Sequence, residues 1–457
     1  MTHGDTPLIA AARTDDAARV RALLEAGPYP AAEVDREAEL DLEALGADGL
    51  TALEIAAARG AYPVVDALRN HGARLDRQGP DGRTPLLRAV DAGSYAVASL
   101  LLNSSVPTWP TGPDGRTALE LARHWHETGA EQELRRRTGA TGPAELSRIS
   151  DEEYVFTGLL RLGVADAQVR TGHTAILCGL EAAHGMRTPF AELLARAEAE
   201  ADLEGVTRWA AVSVLYGQAD RETWEEAAAL RGHPLSSVRH FGAEVARCLA
   251  LFDECDEDGP CVDWPCVDGP CVDGPACLRV LTWDLFLAWA ADEPSPEVLA
   301  VLLNGLSDCY PVGSGAAVAD ALLPHARHPS AAVRRAVAGA FIGCAGEERV
   351  RPALLDFLRD ADAVVRSQGC RALAERGDRS ADLRKALLPL LGDPSVRIQV
   401  EAVRALVLLD DPRGEEALDW VGSGYQEDWP GYWSLCDAHR HLRRRREATA
   451  SAAGAAD

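Results

Sequence analysis

The sequence Asp-Gly-Leu-Thr-Ala-Leu at residues 48–53 recurs as Asp-Gly-Arg-Thr-Pro-Leu at 81–86 and as Asp-Gly-Arg-Thr-Ala-Leu at 114–119. Successive copies are 33 residues apart. A shorter copy, Gly-Asp-Thr-Pro-Leu at 4–8, lies one period plus 12 residues before the first of them. Regular spacing of this length indicates a repeat protein, in which each unit buries its apolar face against its neighbours.

Each copy is followed by the signals of two short helices. Threonine caps the first free N–H groups of a helix, so the first helix of the second unit is predicted at 52–59. A second helix is predicted at 63–70, and Gly72 suits the left-handed backbone that ends a helix. The polar second helix of the last unit, at 131–137, is expected of a terminal cap.

These motifs resemble ankyrin repeats, with four copies over residues 4–139 and a 12-residue insertion after the first. The family usually has histidine after Thr-Pro-Leu, and that histidine bonds neighbouring repeats together. The resemblance therefore implies looser docking of the repeats here, because this chain has other residues at that position: Ile9, Glu54, Leu87 and Glu120.

A second period of about 32 residues begins further along the chain. The pair Val-Arg recurs at 333–334, 365–366 and 396–397, and second helices are predicted at 351–358 and 383–390. Each pair is predicted to open a helix, after a turn such as Asp393-Pro394-Ser395. Weaker copies of the opening are Val169-Arg170, Val238-Arg239 and the regions of Val206 and Val298.

These openings resemble HEAT repeats, most closely the bilin-lyase variety in which Asp-Pro precedes Val-Arg. The resemblance implies about seven units over residues 155–411 and a structural role for Asp393 and Arg397, which would tie adjacent repeats together. For the central part, a generic helical bundle with accidental Val-Arg pairs is the alternative. The predicted fold is therefore all-α: tandem α-solenoids, with ankyrin repeats followed by HEAT-like repeats.

The expected organisation has four parts after these assignments. Ankyrin repeats occupy residues 1–139, a linker follows at 140–150, HEAT-like repeats occupy 151–435, and a basic and then Ala-rich tail occupies 436–457. The HEAT-like part is expected to be interrupted by a Cys/Asp/Gly/Pro insertion at 253–277.

That insertion is the main candidate for metal chemistry. It holds eight acidic residues and no basic ones, and its weak candidate metal ligands are Cys255, Cys261, Cys266, Cys271 and Cys277. The cysteines stand five or six residues apart, wider than the usual pairs of a zinc site, and dense acid disfavours the thiolate. An irregular surface loop is the favoured interpretation, with metal binding and redox chemistry as alternatives.

The net charge of the chain indicates which kind of partner it can bind. The chain has 71 acidic and 46 basic residues, for a formal net charge of -25. The negative electrostatic field of such a chain repels a polyanion, so nucleic acid is disfavoured as a partner and a protein with a basic surface is favoured. The opening residues lack the pattern of a signal peptide, and no stretch suits a membrane span, so a cytoplasmic protein is expected. Lys385 is the only lysine and alanine is abundant, which indicates a GC-rich, bacterial genome.

No motif of a common catalytic centre is recognisable, so the expected function is a non-catalytic protein-binding adaptor or scaffold without a cofactor. An inhibitor or immunity-type protein for a basic partner is a narrower version. A HEAT-like enzyme resembling lyases or glycosylases, or a metal-binding protein, is the alternative. Oligomeric state stays open. On an ankyrin array, hairpin tips and first helices contact partners, and the candidate residues there are Arg59, Tyr62, Arg77, Gln78, Tyr95, Trp109, His124 and Trp125.

Overall fold

The computed structural model describes nine stretches of the chain and divides it into two compact units, 1–218 and 219–457. The described residues are 5–25, 41–152, 155–163, 167–200, 202–251, 278–309, 315–376, 379–422 and 431–454. They are mainly helical, with one small sheet in the first unit. The predicted Cys/Asp insertion at 253–277, with all five of its cysteines, lies outside the described residues.

The first unit begins with an array of four helix pairs. The predicted helix at 52–59 is confirmed, with the same bounds. First helices stack on first helices along the array, and the second helices of the first three pairs stack on one another. The eight helices are α1 (Pro7–Arg13), α2 (Ala17–Glu25), α3 (Ala52–Arg59), α4 (Tyr62–Asn70), α5 (Pro85–Asp91), α6 (Tyr95–Asn103), α7 (Ala118–Thr128) and α8 (Ala130–Thr138).

The repeated threonines cap the first helices of this array, as the sequence predicts. In each repeat the hydroxyl accepts a hydrogen bond of 3.3 Å from the backbone N–H three residues later. The glycine of each Asp-Gly turn has the same positive φ of 76°, a backbone conformation that is sterically unfavourable for residues with a Cβ atom. The four caps are at Thr6, Thr51, Thr84 and Thr117, and the three turn glycines are Gly49, Gly82 and Gly115.

A three-stranded antiparallel sheet follows the array, where a linker and the first HEAT-like helices are predicted. Its strands are β1 (Ala144–Glu152), β2 (Val155–Leu162) and β3 (Gln168–Arg170), in the order β1-β2-β3. The predicted linker at 140–150 is therefore wrong for most of its length, and Val169-Arg170 lies on a strand instead of opening a helix. The physical reason is that burial alternates from one residue to the next, which is typical of a strand with one buried face. Leu160 and Leu162 are buried, while Arg161 between them is exposed.

Strand β3 lies against the loops that join the two helices of the second and third repeats. The backbone N–H of Arg170 donates to the carbonyl of Ala92 (3.1 Å), and that of Gly172 donates to Gly93 (3.2 Å). The Arg170 guanidinium donates to the carbonyl of Arg59 (2.5 Å). Gly93 has a φ of 66°, and a Cβ there would lie 2.1 Å from the Arg170 carbonyl oxygen, so this approach requires glycine.

Three further helices complete the first unit: α9 (His173–Ala183), α10 (Phe190–Glu198) and α11 (Val206–Tyr216). Helix α9 packs against α7 and α6, and α11 packs against α9. Because α9 covers the fourth helix pair, it ends the array.

The second unit consists of helices, and a row of alternate helices forms its centre: α13, α15, α17, α19, α21 and α23 each pack on the next. Helices predicted at 351–358 and 383–390 are observed at Arg351–Phe357 and Ala381–Leu387. The helices are α12 (Arg221–Ala229), α13 (Ser236–Leu251), α14 (Leu278–Ala290), α15 (Pro296–Cys309), α16 (Gly315–Leu322), α17 (Ala331–Ala340), α18 (Arg351–Phe357), α19 (Ala363–Arg376), α20 (Ala381–Leu387), α21 (Val396–Leu408), α22 (Pro412–Gly422) and α23 (Tyr432–Gly454).

The segment predicted as a basic tail is helical and belongs to the row. In α23, Leu435, Ala438 and Leu442 are buried in a cluster with apolar residues of α21. Two of its basic side chains bind the turn between α21 and α22: His441 lies 3.1 Å from an Asp410 oxygen, and Arg445 lies 3.2 Å from the same oxygen. The basic run is therefore part of the helical packing of this unit.

A repeated ion-pair pattern, which we name the arginine ladder, ties neighbouring repeats in the second unit. One guanidinium nitrogen of Arg334 donates to two carbonyls of the preceding turn, at 2.9 Å each. Its other two nitrogens bond both oxygens of Asp360, 26 residues later, at 2.7 and 2.8 Å. Two other arginines repeat this geometry, and the ladder consists of Arg239–Glu293, Arg334–Asp360 and Arg366–Asp393.

Candidate functional site

A pocket rich in arginine lies on the first unit, between the array and strand β3. The cavity measures about 430 Å³. Its wall includes the ends of α3 and α5, part of α8, and residues of β2 and β3. We name it the arginine pocket after the five arginines that line it: Arg59, Arg83, Arg88, Arg137 and Arg170.

One carboxylate, Asp91, organises part of this pocket. One of its oxygens forms an ion pair with a guanidinium nitrogen of Arg83 (3.0 Å), and the other forms an ion pair with a guanidinium nitrogen of Arg137 (2.6 Å). The indole N–H of Trp125 donates to the same carboxylate at 3.1 Å. The Asp91 side chain therefore holds two guanidinium groups and one aromatic ring at the floor of the pocket.

Two further carboxylates touch the pocket arginines from outside. Asp81 accepts from Arg88 (2.6 Å), and Glu133 accepts from Arg137 (2.7 Å). Hydrogen bonds from Arg136 and Arg137 lower the pKa of Glu133 to about 2, against the effect of its burial. Glu133 is therefore ionised at neutral pH, and so it compensates part of the arginine charge.

The predicted partner-binding residue Trp125 is a wall of this pocket and is only 2% exposed. Its ring stacks on His173 with centroids 4.2 Å apart, and the Arg137 guanidinium lies 4.5 Å from the ring centre. The prediction that Trp125 presents a surface for a protein partner is wrong, because α9 and α8 cover the ring from both sides. Burial lowers the pKa of His173 to about 3, so its ring is neutral in the folded chain.

The other predicted contact residues are divided among separate surfaces. Arg59 lines the arginine pocket, and His124 lies in a neighbouring hollow, where it is 3.3 Å from Glu133. Tyr62 is half-buried against the core. Tyr95 lines a third cavity, described below. The structure therefore does not bring these residues together into one patch.

Three predicted residues lie on the hairpins between repeats. Trp109 is 74% exposed, and Gln78 is exposed. Arg77 is half-buried, because it forms an ion pair with the fully buried Glu54 of the preceding repeat. Trp109 occupies the register of Asp76, 33 residues earlier, and so it stands at the same place on its hairpin.

A groove of the first unit lies between α6, α9 and α11, with a volume of about 710 Å³. Trp209 is 49% exposed and Met186 is 44% exposed there. Among the described residues that line the groove, Arg187 is the one with a formal charge. The groove is thus a partly apolar surface with a single formal charge, on an acidic chain.

Comparison with known families agrees with this geometry. The model for ankyrin repeats (many copies) matches residues 53–102, and the model for HEAT repeats matches residues 351–432. This chain joins ankyrin repeats to HEAT repeats. Comparison with curated protein sequences gives no match. Among solved structures, the X-ray structure of YibA from Escherichia coli, a structural genomics target, is 16% identical with a TM-score of 0.40, over 56% of this chain and 93% of that one.

The ankyrin array compensates for its missing histidine in one place. Glu54 stands where the family usually has histidine, and it accepts from the backbone N–H of Thr51 at 2.8 Å while it pairs with Arg77. Because Arg77 lies in the hairpin after the second repeat, the ion pair bridges that repeat and the hairpin that leads to the third. Looser docking of the repeats stays a prediction, because this ion pair does not join the helices of two repeats.

In the HEAT repeats, Asp393 binds Arg366 of the preceding repeat, as the resemblance implies for the family. Arg397, to which the resemblance also assigns a structural role, is exposed. The six cysteines among the described residues are free thiols, and burial raises the pKa of Cys248 and of Cys344 to about 11. Within the described stretches, no cluster of three or more His, Cys, Asp or Glu side chains could hold a metal ion.

Among the helices that the structure describes, each is too short or too polar to span a bilayer.

The sequence reasoning missed most of the residues that form these cavities. A signal for the arginine pocket exists in the 33-residue register, because Ala58-Arg59, Asp91-Ala92 and His124-Trp125 are equivalent positions that change character from repeat to repeat. Polar or aromatic residues at a position that should only pack can indicate a site. The missed residues are Arg83, Arg88, Asp91, Arg137, Arg170, Met186 and Trp209.

Proposed function

We propose that this chain is a non-catalytic adaptor that binds another protein through the hairpin face of its ankyrin repeats. Both repeat families are typically interaction modules, which supports the general class. The single observation that carries the choice of face is Trp109, which exposes 74% of its surface at a hairpin tip. Tryptophan is among the residues that contribute most to protein interfaces, and an isolated exposed one on a repeat hairpin is a natural anchor.

The partner is a protein with a basic surface. The chain carries a formal net charge of -25, and such a field accelerates the approach of a basic protein and opposes an acidic one. An inhibitor or immunity-type role, in which this chain neutralises a basic toxin, is one form of the same proposal. A bacterial cytoplasm is the proposed setting.

The test is affinity capture from a lysate of the source organism at low and moderate salt. Four baits are compared: the intact chain, a chain lacking residues 254–276, Trp109→Ala, and the matched control Trp433→Ala, which removes another highly exposed tryptophan. We expect the intact, deleted and control baits to retain one basic protein, more weakly as salt increases. With that protein purified, Trp109→Ala should weaken the dissociation constant roughly 30-fold, or about 2 kcal/mol.

Two outcomes would contradict the proposal. Equal affinity of Trp109→Ala and Trp433→Ala for the captured protein would remove the hairpin face from the interaction. Capture that requires residues 254–276 would favour the metal-binding alternative, as would failure to retain any basic protein.

A further inference from the structure

We propose that the outer edge of strand β1 and the cavity beside it bind an extended, basic segment of a protein partner, which adds a fourth strand to the sheet. Strand β1 lies at one end of the order β1-β2-β3. An edge strand exposes a row of unpaired backbone groups, and an extended segment of another protein can bind to them. The proposal goes beyond the adaptor function and does not depend on the hairpin that carries Trp109.

The hydrogen bonds of the sheet show which backbone groups of β2 face β1. In an antiparallel sheet the N–H and C=O of one residue point to the same neighbouring strand, and this direction alternates along the chain. The N–H of Leu162 donates to Ala167 (2.9 Å), and the carbonyl of Gly158 accepts from Thr171 (2.8 Å). The even-numbered residues of β2 therefore face the β3 side, and the odd-numbered residues face β1.

The register then shows which residues of β1 face outward. The odd-numbered residues of β2 pair with Glu145, Ser147 and Ile149. The N–H and C=O groups of Leu146 and Arg148, which alternate with these, consequently point away from the sheet. Both residues are exposed, Leu146 to 68%, and no backbone group outside the sheet bonds to either of them in the described part of the chain. They offer two donors and two acceptors to an incoming strand.

The side chains of the same two residues line a cavity of about 630 Å³. Directly opposite residues of paired strands have their side chains on the same face of a sheet. The residues of an added strand that pair with Leu146 and Arg148 would therefore direct their side chains to the face of the sheet that this cavity occupies. The cavity can thus select the side chains of the segment that binds the edge.

The ion pairs around the cavity leave it acidic. Each of the two arginines in its wall is bonded to two carboxylates, and a third arginine reaches one of these carboxylates from outside the wall. Three arginines thus face four carboxylates. The pairs are Arg148 with Asp202 and Glu204, Arg196 with Glu181 and Glu192, and Arg123 with Glu181.

A further carboxylate of the wall, Glu200, forms no ion pair with any residue that the structure describes. Its Oε2 accepts from the backbone N–H of Thr207 at 2.9 Å, and the nearby Arg208 is bonded to Glu198 at 2.6 Å. Glu200 is half-buried, and burial raises the pKa of its carboxyl above the ordinary value. A partly buried carboxylate is stabilised by a cation that binds beside it, so Glu200 fits a lysine or arginine side chain of the added strand.

A second copy of this chain fits the edge less well than a basic segment. Strand β1 carries three acidic residues and one basic residue over 144–152. Two paired copies of β1 would therefore bring further negative charge to a cavity that is already acidic. A basic segment has the opposite charge, and the net charge of -25 attracts it.

The experiment is calorimetric titration of the full chain at neutral pH and physiological ionic strength. The probes are the basic peptide Thr-Val-Lys-Val-Lys-Val-Thr, the acidic peptide Thr-Val-Glu-Val-Glu-Val-Thr, and the basic peptide with its internal backbone nitrogens methylated, which removes its N–H donors.

Two variants each have a matched control. Leu146→Pro removes an outward N–H that β2 does not use, and Leu146→Ala is its control because it keeps that N–H. Glu200→Gln removes the charge without an ion pair, and Glu145→Gln is its control. Glu145 is an exposed acid of β1 that lies outside the cavity wall.

We expect saturable binding of the basic peptide to the intact chain and to both controls. Leu146→Pro and Glu200→Gln should each weaken it roughly tenfold, because one removes a backbone donor and the other a charged acceptor. The methylated and acidic peptides should bind at least roughly tenfold more weakly than the basic peptide. Binding should also slow hydrogen exchange in β1, because the N–H groups of Leu146 and Arg148 become bonded. Circular dichroism checks each fold, and Glu200→Gln with the methylated peptide decides if Leu146→Pro is unstable.

The proposal is overturned if the basic peptide does not bind saturably, if the methylated peptide binds as tightly, or if Glu200→Gln binds the basic peptide as tightly as Glu145→Gln does. A dimer of the intact chain in sedimentation that Leu146→Pro dissociates would also overturn it, in favour of a second copy at the edge. Trp109→Ala should leave binding of the peptide unchanged, so this proposal and the proposed function can fail separately.

Discussion

In the ankyrin array each described repeat begins with a threonine that caps its own first helix, whereas in the HEAT repeats each ladder arginine reaches the turn of the next repeat. The threonine bond spans three residues, from Thr84 to Leu87 for example. The ladder bond spans 26 residues from Arg334 to Asp360 and 27 from Arg366 to Asp393. Both arrays stack helices, but the polar contact that recurs along one array lies within a repeat and the one that recurs along the other joins successive repeats.

This difference explains why one array is clear in the sequence and the other is faint. A contact inside a repeat keeps both partners in one short motif, so Asp-Gly-x-Thr recurs with little change. A contact between repeats needs only an arginine and an acid, and the two residues are 26 and 27 positions apart at two steps but 54 apart at Arg239–Glu293. The acid can then vary: it is Glu293, Asp360 or Asp393 at the three steps.

The strongest test of this comparison removes one step of the ladder. Arg366→Ala leaves the carboxylate of Asp393, which is 8% exposed, buried without its cation. We expect the second unit to lose about 3–5 kcal/mol of stability, the usual cost of an uncompensated buried charge. Hydrogen exchange measured by mass spectrometry over peptides of α19 and α21 reports this loss without assuming that the whole chain unfolds at once.

The control for this variant is Arg335→Ala, one residue away from the ladder arginine Arg334. The Arg335 side chain is 50% exposed, and its ion pair with Asp362 should contribute less than about 1 kcal/mol. If Arg366→Ala and Arg335→Ala have similar effects, the ladder is not what holds the HEAT repeats together.

A second test concerns pH and is confined to the first unit. The pKa of His173 is about 3 in the folded chain, because of burial, against 6.5 for an ordinary histidine. Between these values the unfolded chain binds a proton that the folded chain does not. The stability contributed by neutral His173 is therefore complete above pH 6.5 and is lost as the pH falls, by up to about 1.4 kcal/mol per pH unit, or about 2 kcal/mol by pH 5.

The variant His173→Phe can keep the stack on Trp125 and removes the titrating group. Peptides of α7 and α9 should then show a shallower dependence of hydrogen-exchange stability on pH than in the unmodified chain. An unchanged slope would show that His173 is accessible to protons in the folded state.

The smallest effect is expected from the caps. Thr84→Ala removes a buried cap from α5 and should cost about 1 kcal/mol, while Thr84→Ser retains the hydroxyl and most of the stability. The equivalent change in the HEAT repeats is Ser330→Ala. Ser330 precedes α17 without a side-chain cap bond, so its loss should cost less than about 0.5 kcal/mol. Urea unfolding followed by region-specific hydrogen exchange compares the losses of stability in Thr84→Ala and Ser330→Ala. Equal losses would contradict the distinction between the two arrays.

The same distinction decides what could be predicted from the sequence. Helix α3 is predicted with its observed bounds because its Asp-Gly turn and its threonine cap lie directly before it in the sequence. The sheet is not predicted, because its alternating stretch around Leu160 is short and Val169-Arg170 imitates the opening of a HEAT helix. Local patterns fail where a segment takes its structure from a distant partner.

The candidate sites show this limit more strongly. The sequence predicts that Trp125 lies on the surface, but in the structure His173, which is 48 residues away, stacks on its ring. The arginine pocket depends on strand β3, which brings Arg170 to a carbonyl 111 residues earlier in the chain. Trp109 is the opposite case: its position on a hairpin follows from the repeat register alone, and the structure leaves it exposed.

The contacts of strand β3 have a consequence for how this protein can change over evolution. Solenoids commonly gain or lose whole repeats by duplication or deletion. Here the chain leaves the fourth ankyrin repeat and returns to bond Arg59 in the second and Ala92 in the third, while α9 is packed on α7 of the fourth. A 33-residue duplication between the third and fourth repeats would separate these anchor points by one repeat thickness. The contacts of the sheet and of α9 therefore fit only an array of four ankyrin repeats, and they fix the number of repeats at four.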